Sequence, residues 1–140
     1  MYESLAGQFD PNRVFSTGHS NGGGFTYCLW AARSDLFVAF APSSVVARNF
    51  TDQLVPKPAM HIAGKTDPVV KYAWQEPMMN FVKTLNGCGE GESWHSVGDL
   101  TGTLYPSETP FVTLIHPGGH KFSPEAPELI VRFFKACCRK

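Results

Sequence analysis

Short apolar runs alternate with amphipathic segments along this chain. Apolar, β-branched or aromatic runs predict strands at 13–17, 36–41, 59–63, 101–105 and 111–115. The run at 36–41 is apolar throughout, which is typical of a parallel strand buried on both faces. The alternation of strands and helices indicates an α/β protein: a three-layer α/β/α arrangement with a mostly parallel sheet of four or five strands.

Apolar residues spaced at i, i+3, i+4 and i+7 predict three helices. The first covers 21–33 and has an apolar stripe of Phe25, Cys28, Leu29 and Ala32. The second contains the stripe Met78, Phe81, Val82 and Leu85. The third begins at Pro124, is capped by Ser123, and presents Ala126, Leu129, Ile130, Phe133 and Phe134. We expect each stripe to face the sheet.

The segment Gly18-His19-Ser20-Asn21-Gly22 separates the first predicted strand from the first predicted helix. G-x-S-x-G in that context is a nucleophile elbow, a sharp turn that exposes a serine. Such a turn brings helix and strand close together, and Gly18, Gly22, Gly23 and Gly24 lie where side chains would collide. Ser20 is therefore the candidate nucleophile, with a chance pentapeptide in a glycine-rich loop as the alternative.

A serine hydroxyl needs a base to take its proton, and the base needs an acidic partner. In elbow-containing hydrolases these partners follow in the chain order Ser, Asp or Glu, His. Asp67 comes just after the run at 59–63, and His120 just after the run at 111–115. Since open α/β sheets keep their sites at the carboxyl ends of strands, Asp67 and His120 are the candidate acid and base.

Other histidines compete with His120 for the role of base. His116 is the main rival, and we favour His120 because two glycines before it allow the loop to bring the ring over the serine. His19 lies inside the elbow, where we expect local packing. His61 lies in an apolar run and is interpreted as a core histidine with satisfied hydrogen bonds. His95 lies in a polar loop that follows no predicted strand.

The acid has alternatives too. Asp52 or Asp99 could replace Asp67 if the strand assignment were wrong. Asp67 precedes Pro68, so it could also serve merely as a turn residue.

Three motifs now make a family resemblance visible: GHSNGGG, GKTDPVV, and PGGHKF followed by a terminal helix. They resemble the polyhydroxybutyrate depolymerase-like branch of the α/β-hydrolases, which also contains feruloyl and acetyl xylan esterases. Asn86-Gly87-Cys88 is similar to that branch as well, and the resemblance extends from about Asp10 to Arg139. It implies Ser20 as nucleophile, Asp67 as acid and His120 as base, without a cofactor or a metal.

The resemblance also implies that part of the family fold is missing. Complete members carry several strands before the elbow, whereas here the elbow begins at residue 18. One oxyanion-hole donor is the N–H after the serine, here that of Asn21, and the other comes from a loop after an earlier strand. We therefore expect either weak activity or a donor from elsewhere, for instance another subunit.

Without earlier strands, the strand at 13–17 becomes an open sheet edge that exposes unpaired backbone groups. We expect a homo-oligomer in which another copy covers this edge. The alternative is that residues 1–9 fold over the exposed face as a helix.

The charge composition excludes some classes of binding partner. The 140 residues carry 12 basic and 12 acidic side chains, and the carboxyl-terminal Arg139-Lys140 is the sole basic cluster, which argues against nucleic acid or a membrane. No signal peptide or transmembrane segment is visible, so the chain as it stands is expected to be a single cytoplasmic domain over 1–140, although family members can be secreted. Of the four cysteines, Cys28 and Cys137 are expected to be small buried residues, and no spacing suggests zinc.

The expected function is hydrolysis of small carboxylic esters, with short-chain or phenolic acyl groups of the acetyl or feruloyl type. His19, Tyr72 and Trp74 are candidates for a substrate pocket. The alternative is a weak or inactive hydrolase remnant that acts as a binding or assembly module. A polyhydroxyalkanoate depolymerase or a lipase is a further alternative.

Overall fold

The computed structural model describes residues 2–138, so Met1 and the basic pair Arg139-Lys140 lie outside the described residues. Strands and helices follow one another in the order β1 (Phe15–His19), α1 (Asn21–Arg33), β2 (Ala39–Ser43), β3 (Ala59–Gly64), α2 (Tyr72–Leu85), β4 (Glu92–Ser93), β5 (Thr101–Tyr105), β6 (Phe111–His116) and α3 (Ala126–Ala136). Short 3-10 turns occur at Glu3–Leu5, Pro11–Arg13, Ser34–Leu36 and Thr51–Gln53.

Six strands within residues 2–138 form one sheet in the order β1-β2-β3-β6-β5-β4. Strands β1, β2, β3 and β6 are parallel, and β5 and β4 extend the sheet antiparallel. The prediction of a mostly parallel sheet is confirmed. The sheet has six strands where four or five were predicted, because β4 consists of two exposed polar residues and pairs through its backbone.

Helices cover both faces of the sheet, as the three-layer prediction requires. Alternate strand residues face opposite sides: Phe40, Ala59 and Phe111 pack with α1 and α2. Met60 and Val112 pack with α3 on the other side. The period of two along each strand therefore divides the core into two apolar layers. Among residues 2–138, no helix combines the length and the apolar character needed to cross a membrane.

The predicted apolar stripe of α1 was wrong in phase. The buried residues are Gly23, Thr26, Tyr27 and Trp30, whereas Phe25 is 63% exposed and Cys28 is exposed. The observed set has the same i, i+3, i+4, i+7 spacing but begins at a glycine and includes a threonine. Gly23 faces the sheet because the helix begins close to it, where a Cβ would lie 2.7 Å from the Ser43 carbonyl oxygen, whereas the large side chains of Tyr27 and Trp30 are buried further along the helix.

Glycines decide how closely α1 approaches the sheet. A Cβ on Gly18 would lie 2.3 Å from the backbone carbon of Gly22, and one on Gly23 would lie 2.7 Å from the carbonyl oxygen of Ser43. The prediction of crowding therefore holds at Gly18 and Gly23. It was wrong at Gly22, where an added Cβ would meet nothing within 4 Å, and at Gly24, where it would make an ordinary 3.6 Å contact.

Several predicted boundaries also shift. Strands β1 and β2 begin later than predicted, and Leu36 belongs to a 3-10 turn. Helix α3 begins at Ala126, and the predicted stripe of this helix is buried. The predicted cap at Ser123 was wrong, because its hydroxyl bonds to Asp99 while its backbone carbonyl accepts from the N–H of Ala126.

Strand β1 forms one edge of the described sheet, as predicted. Residues 2–9 contain only a 3-10 turn, so the alternative of an amino-terminal helix was wrong within the described residues. With the exposed Phe25 and with Phe15, the side chains of Leu5 and Phe9 line an apolar groove of about 690 Å³.

His61 lies on β3 in the core, fully buried. The Tyr27 hydroxyl lies 2.8 Å from its Nδ1, and the Gln75 side-chain oxygen lies 2.9 Å from its Nε2. Both ring nitrogens are satisfied, which confirms the interpretation as a core histidine. Burial lowers the pKa of His61 to about 4, since the charged form would lose its hydration.

Stability should depend on pH through His61. Its unfolded pKa is about 6.5 and its folded pKa about 4, so the unfolded state takes up the proton first as the pH falls. The stability associated with neutral His61 is complete above the unfolded value and is lost towards the folded one. We expect wild type to lose its advantage over His61→Asn by up to about 1.4 kcal/mol per pH unit in that window, measured by urea unfolding. A constant difference across this window would contradict the assignment.

The elbow glycines should differ in their tolerance of a methyl group. Gly18→Ala is expected to lower the free energy of unfolding by at least about 2 kcal/mol, because its Cβ meets backbone that cannot move aside. Gly22→Ala is the matched control and should be neutral or stabilise by about 0.5 to 1 kcal/mol. Urea unfolding measures both, and equal stability of the two variants would refute the packing account.

Self-association remains a prediction from the edge position of β1. We expect light scattering to show an oligomer whose population rises with protein concentration. A monodisperse monomer at high concentration would argue against coverage of this edge by another copy.

Candidate active site

Three side chains from distant parts of the chain meet at the carboxyl edge of the sheet. Ser20 follows β1, Asp67 follows β3, and His120 follows β6, and these strands are parallel. The Ser20 Oγ lies 2.9 Å from His120 Nε2, and His120 Nδ1 lies 2.8 Å from Asp67 Oδ2. Residues separated by up to 100 positions thus form one hydrogen-bonded series.

Ser20 has an unusual backbone conformation. Its backbone angles, φ 56° and ψ −114°, lie in a region that residues other than glycine rarely adopt. Such a conformation costs about 1 to 3 kcal/mol of strain. The Ser20 N–H donates to the Ser43 carbonyl at 2.8 Å, and the Gly24 N–H donates to the Ser20 carbonyl at 2.9 Å. These bonds hold the turn, which places the side chain at the start of α1.

Asp67 is fixed by a local turn. Its side chain is fully buried, and its Oδ1 accepts the backbone N–H groups of Val69 and Val70 at 2.8 and 2.9 Å. Burial by itself would raise the pKa of this carboxyl, but hydrogen bonds from His120, Val70 and Val69 outweigh it and lower the pKa. Asp67 is thus a turn residue through one oxygen and a partner of His120 through the other.

The sequence reasoning missed Val69 and Val70 as donors to Asp67. The signal was present, because an Asp before Pro often accepts main-chain N–H groups a few residues further on. The turn and the acidic role, which the sequence offers as alternatives, occur together, because the two oxygens of one carboxylate make both sets of bonds.

The loop carrying His120 packs on the loop carrying Asp67. The Lys65 N–H donates to the His116 carbonyl at 2.9 Å, and the Thr66 N–H donates to the Gly118 carbonyl at 3.1 Å. A Cβ on Gly64 would lie 2.4 Å from the Gly118 oxygen, so only glycine permits this contact. The loop brings the His120 ring to Ser20, as expected, and these hydrogen bonds fasten it to the loop of Asp67.

These contacts assign the protons. An ionised carboxylate can only accept, so His120 Nδ1 carries the hydrogen that faces Asp67. His120 Nε2 is then the lone-pair nitrogen and accepts the Ser20 hydroxyl. The side chain of His120 is 19% exposed, while the side chain of Asp67 is wholly buried. A base and a hydroxyl are thus aligned for proton transfer next to solvent.

His19 lies beside this series without joining it. Its Nδ1 lies 3.1 Å from the Ser43 hydroxyl, and its ring centre lies 5.0 Å from that of His120. The pKa of His19 is lowered by burial first and then by the neighbouring His120. On its other side, Phe122 packs edge-on at 5.7 Å and remains 39% exposed.

The rival base is placed elsewhere. His116 is 1% exposed; its Nδ1 accepts the Gly118 N–H, and its buried Nε2 has no hydrogen-bond partner among the described residues. Burial lowers the pKa of His116. His95 lies in an exposed loop against Trp94.

The rival acids also have other surroundings. Asp99 pairs with Lys121 at 2.8 Å, and this hydrogen bond lowers the pKa of Asp99. Asp52 lies exposed in a 3-10 turn.

Of the three candidates for a substrate pocket, His19 lies next to His120. Tyr72 and Trp74 make no hydrogen bond or ring contact with Ser20 or His120 among the described residues. Tyr72 lines a polar cavity of about 540 Å³ together with His116, and the lining of this cavity does not include Ser20. Trp74 is 43% exposed and lies under the cations of Arg48 and Lys71, at 5.3 and 5.6 Å from its ring. A substrate role for Tyr72 and Trp74 remains a prediction.

Asn21 is the first residue of α1 and follows Ser20 directly. The first N–H groups of a helix have no acceptor within it, so the Asn21 N–H is available to an anion beside Ser20. Within residues 2–138, no cluster of three or more His, Cys, Asp or Glu side chains could hold a metal ion.

No protein-family model matches the chain, and no curated protein matches its sequence. Solved structures do match the fold. SOBER1 from Arabidopsis thaliana matches with a TM-score of 0.65 at 17% identity, over 97% of this chain and 58% of that one. A Bacillus cereus carboxylesterase matches with a TM-score of 0.67 at 16% identity, over 97% and 56%. The feruloyl esterase module from Clostridium thermocellum, solved with sinapinate, matches with 0.52 at 16% identity, over 76% and 39%.

The chain thus spans less than two thirds of the length of these structures. At such low identity the match establishes architecture alone. The chain has the α/β-hydrolase fold over part of the length of these neighbours.

Proposed function

We propose that this chain is a serine esterase that uses Ser20, His120 and Asp67 as a catalytic triad. The observation that carries the proposal is the pair of hydrogen bonds, 2.9 Å from Ser20 to His120 and 2.8 Å from His120 to Asp67, with Ser20 on a strained turn at the start of α1. Nucleophile, base and orienting acid are each within direct reach of the next.

In the acylation step, Ser20 Oγ attacks the ester carbonyl carbon while its proton passes to His120 Nε2. Asp67 stays ionised, holds the ring through Nδ1 and stabilises the imidazolium. His120 then gives the proton to the departing alcohol as the carbon–oxygen bond breaks. The acyl group is left on Ser20.

In the deacylation step, water takes the place of the alcohol. His120 Nε2 removes a proton from the water, and the resulting hydroxide attacks the acyl carbon. Return of the proton to Ser20 Oγ releases the carboxylic acid. The partial exposure of the His120 side chain gives water access to Nε2.

The negative charge that forms on the carbonyl oxygen in both steps is met by the Asn21 N–H at the positive end of α1. Loss of one oxyanion donor costs about 100- to 1,000-fold in rate. We expect a second N–H donor to this oxygen to come from another segment or subunit.

The surroundings of Ser20 favour a small ester with an apolar or aromatic acyl group. Phe122 is 39% exposed and stacks edge-on with His19, whose ring adjoins His120. The exposed ring of Phe122 offers apolar contact next to His19, which adjoins His120. One structural neighbour is a feruloyl esterase module solved with sinapinate, a phenolic acid. Short-chain and phenolic esters of the acetyl or feruloyl type are therefore the proposed substrates.

A second candidate function is a binding or assembly module without turnover. The observation that favours it is the coverage: the chain spans 58% of the SOBER1 structure and 56% of the Bacillus cereus carboxylesterase. The series of Ser20, His120 and Asp67 favours catalysis over this candidate.

Replacement of the nucleophile separates the two candidates. Ser20→Ala is expected to reduce hydrolysis of p-nitrophenyl acetate, p-nitrophenyl butyrate and methyl ferulate by at least about 1,000-fold, because the acyl acceptor is lost. Each substrate is assayed with wild type and variant at equal concentration. Equal background rates for both proteins would sink the esterase proposal and leave the binding module.

The two rival histidines form a matched pair. His120→Asn should abolish turnover as completely as Ser20→Ala, since triad members act as a unit. His116→Asn keeps a side-chain acceptor for the Gly118 N–H and should retain kcat within about tenfold. A larger loss of kcat in His116→Asn than in His120→Asn would reverse the assignment of the base.

A further inference from the structure

A continuous series of buried hydrogen bonds connects the core to the loop that carries Asp67. The Tyr27 hydroxyl meets His61 Nδ1 at 2.8 Å, and His61 Nε2 meets the Gln75 side-chain oxygen at 2.9 Å. The Gln75 amide then donates to the Val70 carbonyl at 2.7 Å. The Val70 N–H in turn donates to Asp67 Oδ1 at 2.9 Å.

The Val70 carbonyl at one end of the series determines which atom donates in each of these hydrogen bonds. A backbone carbonyl can only accept, so the Gln75 nitrogen faces Val70 and its oxygen faces His61. His61 Nε2 must then carry the hydrogen, which leaves Nδ1 as the acceptor of the Tyr27 O–H. The lowered pKa of His61, at about 4, keeps the ring in this neutral form at neutral pH.

The series joins three elements of the fold. Tyr27 belongs to α1, His61 to β3, and Gln75 to the first turn of α2, and all three are completely buried. A buried polar group that loses its partner cannot turn to water instead, so each bond strongly restrains its neighbours. The network therefore ties the loop between β3 and α2 to the rigid interior.

Val70 is the residue through which this restraint reaches the site. Both of its main-chain polar groups are used, the carbonyl by Gln75 and the N–H by Asp67. Asp67 Oδ2 faces His120, so the orientation of the carboxylate depends on where the loop places the donors to Oδ1. None of these partners of Val70 lies on β6 or in the loop of His120.

We propose that Gln75 and His61 are positioning residues that hold Val70, and through it the Asp67 carboxylate, in line with His120 Nδ1. This inference rests on the proposed function, in which Asp67 orients the catalytic base. The network serves the fold and the reaction together: the same bonds that satisfy buried polar atoms hold the acid in place.

The main test replaces Gln75 by methionine. Methionine matches the length of glutamine and removes both hydrogen bonds of the side-chain amide, to His61 and to Val70. Val82→Ala is the control, because Val82 lies buried on the same helix and carries no polar group. We expect Gln75→Met to lower kcat about 10- to 100-fold with KM within about threefold, since a misplaced acid impairs chemistry and not binding. Val82→Ala should lose stability and keep kcat within about twofold.

A second readout does not need activity. Amide exchange of the Val70 N–H should accelerate at least about tenfold in Gln75→Met relative to Val82→Ala. The low-field proton resonance of His120 Nδ1, bonded to Asp67, should weaken in the same variant. Retained kcat, retained exchange protection and an unchanged resonance in folded Gln75→Met would overturn the proposal.

His61→Asn serves if Gln75→Met does not fold. His61→Asn removes the ring N–H that donates to the Gln75 side-chain oxygen. It should change kcat, the exchange of the Val70 N–H and the His120 Nδ1 resonance in the same direction as Gln75→Met. Unchanged values of all three in this variant would also overturn the proposal. Wild type no more active than Ser20→Ala would refute the esterase function instead. The exchange and resonance measurements would then still decide whether Gln75 holds the Asp67 loop.

Discussion

The closeness of α1 to the sheet is the constraint on which the rest of this structure depends. Gly18 and Gly22 touch through their backbones, and Gly23 lies against the Ser43 carbonyl, so the helix starts almost on top of β1 and β2. The turn between β1 and α1 has no room for a relaxed conformation, and Ser20 takes a φ of 56°. The same closeness requires a glycine at position 23, while Tyr27 and Trp30 fill the buried side of α1 further along and Phe25 lies on the outside. The position of the half-buried Ser20 at the start of α1 is thus a consequence of packing.

A second close approach fixes the other half of the site. The register of β3 with β6 sets Gly64 opposite His116, and the loops that follow cross-bond through Lys65 and Thr66. Because Gly64 has no side chain, the two loops pack backbone to backbone. Asp67 and His120 are therefore held relative to each other by the sheet itself. Close packing at two glycines brings together side chains that are far apart in the chain.

Burial and hydrogen bonding act in opposite directions on the polar groups around the site. Burial of Asp67 disfavours its charge, and three donors restore it. His61 is neutral because it is buried, and neutrality lets it accept from Tyr27 while it donates to Gln75. The His120 side chain is 19% exposed, so its ring lies next to solvent while Asp67 is buried. The low dielectric of the interior makes each of these bonds a strong restraint on orientation.

Local sequence determined much of this protein. Periods of two and of 3.6 in apolar residues located the helices and the main strands, and turn residues together with the elbow motif singled out Ser20, Asp67 and His120, because these signals act between near neighbours. Tertiary structure decided what depends on distant partners: the buried face of α1, the pairing of the polar strand β4, the hydroxyl of Ser123 on Asp99, and the different surroundings of His116 and His120. Those outcomes require knowing which backbone lies against which, and a glycine or threonine on a buried face carries no apolar signal. The sequence therefore determined which residues could form a site, and close packing between distant segments decided how they meet.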